Sequence, residues 1–202
     1  MAILGLVLAA GAGTRMGQPK ALVADHGETW LARSVAALRA GGIETVYVVV
    51  GASADEVRAA APAECRVIEA TSWAEGMGAS LRSGIATLSR EHPTAEAMLI
   101  MLVDTPGVGP DVVRRLAASA NATTLIRASY DGQPGHPVLI GRAHWASARA
   151  GAQGDEGARG YLESAGVSLI ECGDLGSGDD VDTPWALEHW RQGEAPSGTY
   201  LG

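Results

Sequence analysis

Two cationic side chains, Arg15 and Lys20, lie in a glycine-rich segment that follows the first apolar run of the chain. The segment reads Ala9-Ala10-Gly11-Ala12-Gly13-Thr14-Arg15-Met16-Gly17-Gln18-Pro19-Lys20. Small residues leave backbone N–H groups uncovered, so several of them can converge on phosphate oxygens. Arginine suits forked contacts to phosphate, whereas lysine acts as a point charge. The segment therefore predicts a phosphate-binding loop.

Two familiar nucleotide motifs do not fit this loop. A P-loop requires Lys directly after its last Gly, but here Gln18 and Pro19 intervene before Lys20. The glycine spacing is G-x-G-x-x-x-G, which differs from the dinucleotide fingerprint, and Pro19 interrupts a helix at once. The glycines alone are equally typical of an ordinary connection between a strand and a helix. The added Arg15, Pro19 and Lys20 favour the functional interpretation.

A carboxylate, Asp104, ends the third apolar run and is followed by Thr105 and Pro106. If that run is a parallel strand, Asp104 emerges at its carboxyl end and faces the same crevice as the first loop. One or two carboxylates beside phosphates, with waters completing an octahedron, are what Mg²⁺ chemistry requires. The competing interpretation is a turn-forming Asp before Pro.

A second acidic stretch, Asp179-Asp180-Val181-Asp182-Thr183-Pro184, lies near the C-terminal end. Asp182 or Thr183 could cap a helix that has Pro184 at its first position. A glycine-containing loop, Gly76-Met77-Gly78-Ala79-Ser80, runs into another predicted helix, for which Ser80 is the expected N-cap. A helix N-terminus offers free N–H groups and a positive dipole end to a nucleotide.

The elements that must position these residues alternate between strand and helix. Short apolar runs at 3–8, 46–50 and 98–103 are typical of strands covered on both faces. Helices are predicted at Trp30–Ala40, Asp55–Ala61, Ser80–Arg90, Pro110–Ala120, Arg142–Ala150, Glu156–Ala165 and Pro184–Arg191, with further strands at Arg66–Glu69, Thr124–Ser129, His136–Ile140 and Ser168–Glu171. This order predicts an α/β fold with a three-layer, doubly wound, mostly parallel sheet. The turn-forming run from Asp131 to Gly135 adds a hairpin or a small antiparallel edge.

Length and composition limit the possible classes of protein. The 202 residues fit one domain, expected over 1–192, with 193–202 as a disordered tail. The net charge of −8 and the absence of a Lys/Arg run argue against nucleic acid and against an anionic membrane surface. The first apolar run is too short to span a membrane, and the two distant cysteines suggest neither a disulfide scaffold nor a zinc site. We expect a cytoplasmic enzyme.

The first loop also resembles a known signature. Leu8-Ala9-Ala10-Gly-x-Gly-x-Arg-Met-Gly-x-Pro-Lys is similar to the opening of the nucleotidyltransferases that complete molybdenum cofactors, a family with a Rossmann-like nucleotidyltransferase fold, and within it to the cytidylyltransferases. The similarity continues in ordered blocks from about residue 3 to about residue 190. Guanylyltransferase relatives usually carry Gly where Ala10 stands, which favours CTP over GTP. The family usually has Gln where Thr105 stands, so contacts of that Gln to the second substrate are missing here.

The resemblance implies a role for each matching residue. Arg15, Lys20 and Asp104 are the implied catalytic residues, and Asp104 with Asp180 or Asp182 is the implied Mg²⁺ site. His136 and Asp155 are expected on the acceptor side, although alone they suit a turn histidine and a helix cap. Nucleotide binding is assigned to two groups, the first-loop residues Leu8, Ala9, Ala10, Gly11, Gly13, Arg15 and Lys20 and, beside base and ribose, Met77, Gly78, Ser80 and Arg82.

The implied reaction is attack by the terminal phosphate of a molybdopterin-type cofactor on the α-phosphorus of CTP, with release of pyrophosphate. A phosphate nucleophile is already ionised at neutral pH, so positioning and charge neutralisation suffice. A recipient molybdoenzyme is a further implied partner. The alternatives are a guanylyltransferase acting on the same cofactor, an NAD(P)H-dependent oxidoreductase on the same scaffold, as in reduction of nicotine blue, and a carrier that only binds nucleotide.

Overall fold

A seven-stranded sheet forms the centre of the protein, for which a computed structural model describes residues 2–193. The sheet order is β5-β4-β1-β6-β8-β7-β9, and β2 and β3 form a separate antiparallel pair. The predicted tail, apart from Gly193, lies outside the described residues. The strands are β1 (Ile3–Ala9), β2 (Ala24–Asp25), β3 (Glu28–Thr29), β4 (Thr45–Val50), β5 (Cys65–Glu69), β6 (Ala97–Leu102), β7 (Leu125–Tyr130), β8 (Gln133–Gly141) and β9 (Ser168–Glu171).

Seven α-helices accompany the sheet in the described part of the chain. They are α1 (Trp30–Ala40), α2 (Ala54–Ala60), α3 (Met77–Glu91), α4 (Pro110–Ala117), α5 (Trp145–Gly151), α6 (Arg159–Ser164) and α7 (Pro184–Gln192). Short 3₁₀ turns occupy Lys20–Leu22, Trp73–Glu75, Arg142–His144 and Gly154–Glu156. No helix within residues 2–193 combines the length and apolar character that crossing a bilayer would require.

The sheet is mostly parallel where the predicted site lies. Strands β5, β4, β1 and β6 are parallel neighbours, so the loops after β1 and β6 leave the same edge of the sheet. Strand β8 runs antiparallel between β6 and β7, and β9 pairs parallel to β7. The predicted hairpin is confirmed as β7–β8. Its two-residue turn places Asp131 and Gly132 at positive φ, as a type I′ turn requires.

Aliphatic side chains on both faces of the central strands build the core. In β1, Val7 packs with α1 and α4, whereas Leu6 and Leu8 point to the opposite face and pack with α3. This alternation on fully buried strands produces the two hydrophobic layers between sheet and helices, and it explains why the strand sequences show no polar face.

A third, smaller apolar cluster connects the two ends of the chain. Met16 of the first loop and Trp30 pack with Ala186 and Leu187 near the start of the last helix. The other buried members of the cluster are Val23 and Val181. Because Met16 follows Arg15 and Val181 precedes Asp182, this cluster fixes the position of the glycine-rich loop relative to the C-terminal acidic stretch.

Several predicted boundaries differ from the structure. The expectation that Ser80 caps a helix is wrong, because α3 begins at Met77 after Gly76 and Ser80 lies buried within its first turns. The helix predicted at Arg142–Ala150 is divided into a 3₁₀ turn and α5. The helix predicted from Glu156 begins at Arg159, because Gly157 adopts a positive φ that a continuing helix cannot accommodate.

Candidate active site

The first loop is held in one shape by Gly13. Its φ is +62°, and a Cβ atom built on it would lie 1.9 Å from the backbone oxygen of Gln18. Only glycine therefore permits the chain to fold back so closely on itself. The return brings Gln18 and Pro19 next to Gly13, and the 3₁₀ turn that starts at Lys20 contacts α1 and α2.

Lys20 lies between two carboxylates from distant parts of the chain. Its Nζ donates to Asp104 Oδ2 at 2.6 Å and also to Asp182 Oδ1. Burial lowers the pKa of the Lys20 ammonium, but the two carboxylates outweigh that effect, and the net pKa is raised. Lys20 is consequently a permanent cation in the pH range of enzymes.

The carboxylate of Asp182 bonds to Lys20, and it is the neighbouring Thr183 that caps the last helix. The Thr183 side chain accepts a hydrogen bond from Ala186 N, and Pro184 occupies the first helical position. Arg15 reaches Asp182 Oδ2 at 3.0 Å from a side chain that is 74% exposed. The Val181 N–H donates to the Asp104 carbonyl at 2.9 Å, which fixes the acidic stretch against the end of β6.

Asp180 forms a third carboxyl beside this group. Burial raises its pKa to about 6, and the negative charges of Asp104 and Asp182 add to the increase. Lys20 acts in the opposite direction. Asp180 itself makes no hydrogen bond to Lys20, so Asp182 is the carboxylate that shares the lysine with Asp104.

A cavity of about 410 Å³ extends from Lys20 and Asp104 along the carboxyl edge of the sheet. The amino-terminal end of α3 borders it through Met77 and Ser80, and the free N–H groups there carry the positive end of the helix dipole. The other residues that line it are Leu8, Ala9, Ala10, Gly11, Ala12, Gly13, Thr14, Arg15, Ala21, Trp73, Ala74, Gly76, Leu102, Val103 and Asp155.

The structure thus brings most of the predicted nucleotide-binding residues together, but it places two elsewhere. Arg82 donates to the Ala152 carbonyl at 2.8 Å and to Glu75 at 2.7 Å, so its charge is directed outside the cavity. Gly78 packs against the backbone of Gln153, where a Cβ atom would approach to 2.6 Å. Both residues support the shape of the cavity wall.

The two residues expected on the acceptor side lie in different pockets. Asp155 borders the large cavity beside Gly76, and His136 lines a neighbouring cavity of about 60 Å³. Burial, assisted by the charge of Arg127, lowers the pKa of His136 to about 3, so the imidazole is neutral at physiological pH. Thr105 does not reach either cavity, because its buried hydroxyl donates to the Leu102 carbonyl.

The carboxylates present fit a hard divalent cation that takes some of its ligands from the protein and others from a bound phosphate. Asp104 Oδ1 is buried and has no hydrogen-bond partner among the described residues, although buried carboxylate oxygens are normally satisfied. In residues 2–193 no group of three or more His, Cys, Asp or Glu side chains is arranged to hold a metal. The protein would therefore supply about two carboxylates and leave the other positions to phosphate and water oxygens.

Sequence reasoning missed two features of this site. Trp73, which lies between β5 and α3, borders the cavity and packs against Gly51. The available signal was a lone Trp in a glycine-containing loop. The second feature concerns Lys20, which was predicted as a site residue: it is the only lysine in the chain. In a protein that otherwise uses arginine for positive charge, that single exception marks a position where a compact ammonium is required.

Comparison with known proteins shows which family and which proteins the chain is similar to. Residues 5–169 match the family model described as MobA-like NTP transferase domain. Nicotine blue oxidoreductase of Paenarthrobacter nicotinovorans is 35% identical over 192 residues, which are 90% of this chain and 92% of that protein. Molybdenum cofactor guanylyltransferase of Rhodobacter capsulatus is 31% identical over 150 residues, 73% of this chain and 68% of that protein.

Solved structures show the same fold. The crystal structure of Rv0371c from Mycobacterium tuberculosis H37Rv superimposes with a TM-score of 0.79 at 29% identity, covering 95% of this chain and 98% of that one. A structure of Rv0371c in complex with manganese gives a TM-score of 0.74 at 28% identity, with 95% and 99% coverage.

Proposed function

This chain belongs to the MobA-like NTP transferase family, and from that premise we propose that it transfers CMP from CTP to the terminal phosphate of a molybdopterin-type cofactor, releasing pyrophosphate. The observation that carries the proposal is the meeting of Lys20 with Asp104 and Asp182 at the end of the large cavity. A lysine ammonium and two carboxylates beside a glycine-rich loop are suited to bind a triphosphate together with its metal ion. We further propose that the enzyme acts in the cytoplasm, where its two free thiols, Cys65 and Cys172, stay reduced.

The residues of the chain divide the work between binding and charge neutralisation. The backbone N–H groups of the first loop surround the phosphates, and Arg15, which is mostly exposed, closes over them. Lys20 leaves the carboxylates and binds the phosphate oxygens on which negative charge accumulates as pyrophosphate departs. No general base is needed because the attacking phosphate is already ionised.

Mg²⁺ would be held by Asp104 and Asp182, with Asp180 beside them, and when bound it would neutralise the phosphates and orient the α-phosphate. The orphaned Asp104 Oδ1 supports this assignment. The manganese complex of Rv0371c supports a divalent cation in a similar protein. Molybdenum cofactor guanylyltransferase, at 31% identity, supports the molybdenum cofactor as acceptor, and the recipient is then a molybdoenzyme.

The preference for CTP rests on the floor of the cavity. Ala10 is buried, lines the cavity and places its methyl group against Gly51. A glycine at this position would leave room that the methyl group of Ala10 occupies. We infer that the smaller pyrimidine base fits over this floor and that a purine is disfavoured.

Incubation with CTP, GTP, ATP or UTP separately, together with Mg²⁺ and molybdopterin, tests the proposal. Mass analysis should detect a cytidylylated cofactor and stoichiometric pyrophosphate with CTP, and much less product with GTP. If the guanylyl product formed at the higher rate, GTP and not CTP would be identified as the preferred nucleotide. Absence of pyrophosphate with every nucleotide would refute the transferase, and nucleotide binding without turnover would indicate a carrier.

A second candidate function has one specific observation in its favour. Nicotine blue oxidoreductase is 35% identical over 92% of its length. A reductase would bind NAD(P)H in the same cavity and would have no use for the Lys20–Asp104–Asp182 arrangement. Oxidation of NADPH in the presence of nicotine blue, unaffected by Asp104→Asn, would establish the reductase in place of the transferase.

A further inference from the structure

Two arginines to which no role has been assigned line the second cavity, the one that also contains the acceptor-side candidate His136. Arg127 on β7 and Arg159 at the start of α6 both line the cavity of about 60 Å³. This cavity shares Leu8 and Met77 with the large one, so a single ligand can extend across both. The remaining lining residues are Leu81, Ile100, His136, Val138, Ile140, Glu156, Gly157, Ala158 and Leu162.

Arg127 is half-buried in this cavity and forms no salt bridge with a carboxylate among the described residues. Its Nε donates to the Gly135 carbonyl at 2.7 Å, and within residues 2–193 its two terminal nitrogens make no hydrogen bond or ion pair. Burial lowers the pKa of Arg127 and the positive charge of Arg159 lowers it further, whereas the negative charges of Glu163 and Asp180 act in the opposite direction. A partly buried guanidinium that shares a cavity with a second guanidinium is stabilised when an anion binds there.

The surroundings favour an anion that belongs to the second substrate. Asp180 lies within electrostatic range of Arg127, so the arginine is close to the acidic end of the large cavity. Arg159 is held through its Nε by Glu163 at 2.9 Å, while the charge of Glu156 balances it only in part. His136 is neutral and most other lining residues are apolar, which suits the uncharged ring system of an acceptor beside its anionic group.

We propose that Arg127 and Arg159 bind the phosphate of the acceptor, an organic phosphate ester with an uncharged ring system, and thereby set the specificity for the second substrate. The proposal rests on the proposed transfer reaction for the identity of that acceptor. The bidentate geometry of a guanidinium matches a phosphate or a similar oxyanion, whereas the nucleotide phosphates remain with Lys20 and Arg15.

Steady-state kinetics with CTP, Mg²⁺ and molybdopterin provide the first test. Arg127→Gln should raise the KM for molybdopterin roughly tenfold or more, the usual magnitude for one hydrogen bond to a charged group, and leave the KM for CTP within about twofold. Arg127→Lys should restore part of the loss. Arg149→Gln, which removes a charge from an exposed position on α5, should change neither constant. An unchanged KM for molybdopterin in a folded Arg127→Gln protein would overturn the proposal while the transferase stood.

A second measurement keeps the proposal testable if no nucleotide is transferred. Inorganic phosphate is titrated in the millimolar range into ¹⁵N-labelled protein, and the arginine Nε–H resonances are followed by NMR. We expect the resonances of Arg127 and Arg159 to shift together and that of Arg149 to stay constant. If the first two do not move, the anion site is refuted whatever the activity. If they move in a protein without transferase activity, the proposed function fails and the site stands.

Discussion

Lys20 Nζ lies 2.6 Å from Asp104 Oδ2, although 84 residues separate the two in the chain. The glycine-rich loop after β1 and Asp104, the second residue after β6, meet because β1 and β6 are parallel neighbours in the sheet. Asp182 completes the group from the opposite end of the chain. The ammonium stabilises both carboxylates. On the proposed function, it would bind the phosphates once a triphosphate is present.

Replacing Lys20 by Met should weaken binding of CTP by roughly ten- to a hundredfold, because one charge-assisted hydrogen bond contributes about 1.5–3 kcal/mol. Isothermal titration calorimetry measures this change directly. Unchanged affinity for CTP in a folded Lys20→Met protein would exclude Lys20 from the phosphate site.

The shape of the first loop can be tested with two glycines that differ only in their surroundings. Both Gly13 and Gly17 have positive φ, but a Cβ atom on Gly17 meets nothing within 4 Å. Gly17→Ala should therefore cost only the left-handed backbone penalty of about 1–2 kcal/mol. Gly13→Ala should cost more and should also abolish CTP binding, because the Cβ would overlap the Gln18 carbonyl. Equal unfolding free energies for the two variants would contradict this description of the loop.

The choice between the two C-terminal carboxylates follows from their contacts. Asp182 shares Lys20 with Asp104, whereas Asp180 does not bond to it. Asp182→Asn should raise the Mg²⁺ concentration for half-maximal turnover roughly tenfold, since a neutral amide is a weaker ligand for a hard cation. Asp180→Asn should have a clearly smaller effect. The reverse order would identify Asp180 as the metal ligand.

Acid stability should depend on Glu171. Its carboxylate accepts hydrogen bonds from Gly173 N, Gly132 N, Asp131 N and the Ser129 hydroxyl, and these contacts, led by that of Gly173, lower its pKa to about 2. A lowered pKa adds stability above the unfolded-state value near 4.5, and this is lost as the pH falls toward 2.

Denaturant unfolding of the wild type and Glu171→Gln, measured at neutral pH and at about pH 3, tests this linkage. The wild type should be the more stable protein at neutral pH, and the difference should shrink in acid. Glu64→Gln serves as the control because that exposed side chain makes no hydrogen bond to any described residue. A difference that is constant with pH would show that the turn contacts do not act through the charge of Glu171.

The predicted doubly wound sheet is confirmed because buried parallel strands have a distinct local signature. The runs around Val7, Val48 and Leu99 are apolar on both faces, and the structure covers both faces. The division of the helix predicted from Arg142 was not predictable from apolar spacing, since a 3₁₀ turn and an α-helix can present similar patterns over a few residues. The predicted N-cap at Ser80 was also wrong because the local sequence pattern did not show where the helix begins. Helix α3 starts after Gly76, which has no side chain to act as a cap.

Contacts between distant side chains explain the remaining differences. Whether Arg82 reached the cavity depended on Glu75 and the Ala152 carbonyl, and the second of these is remote in sequence. The position of Arg127 in the second cavity was not predictable from the sequence, because it depends on the pairing of β7 with β8 and on the placement of α6. Short motifs thus located the loop and the carboxylates, whereas the direction of individual arginines required the folded structure.

The rate of pyrophosphate release by Asp104→Asn, with CTP, Mg²⁺ and molybdopterin, is the most direct test of the site. We expect a loss of about a hundredfold or more relative to the wild type, with CD spectrum and Tm nearly unchanged. Asp111→Asn, an exposed substitution on α4, should retain full activity. Release by a folded Asp104→Asn protein at the wild-type rate would contradict a reaction centred on Lys20 and Asp104.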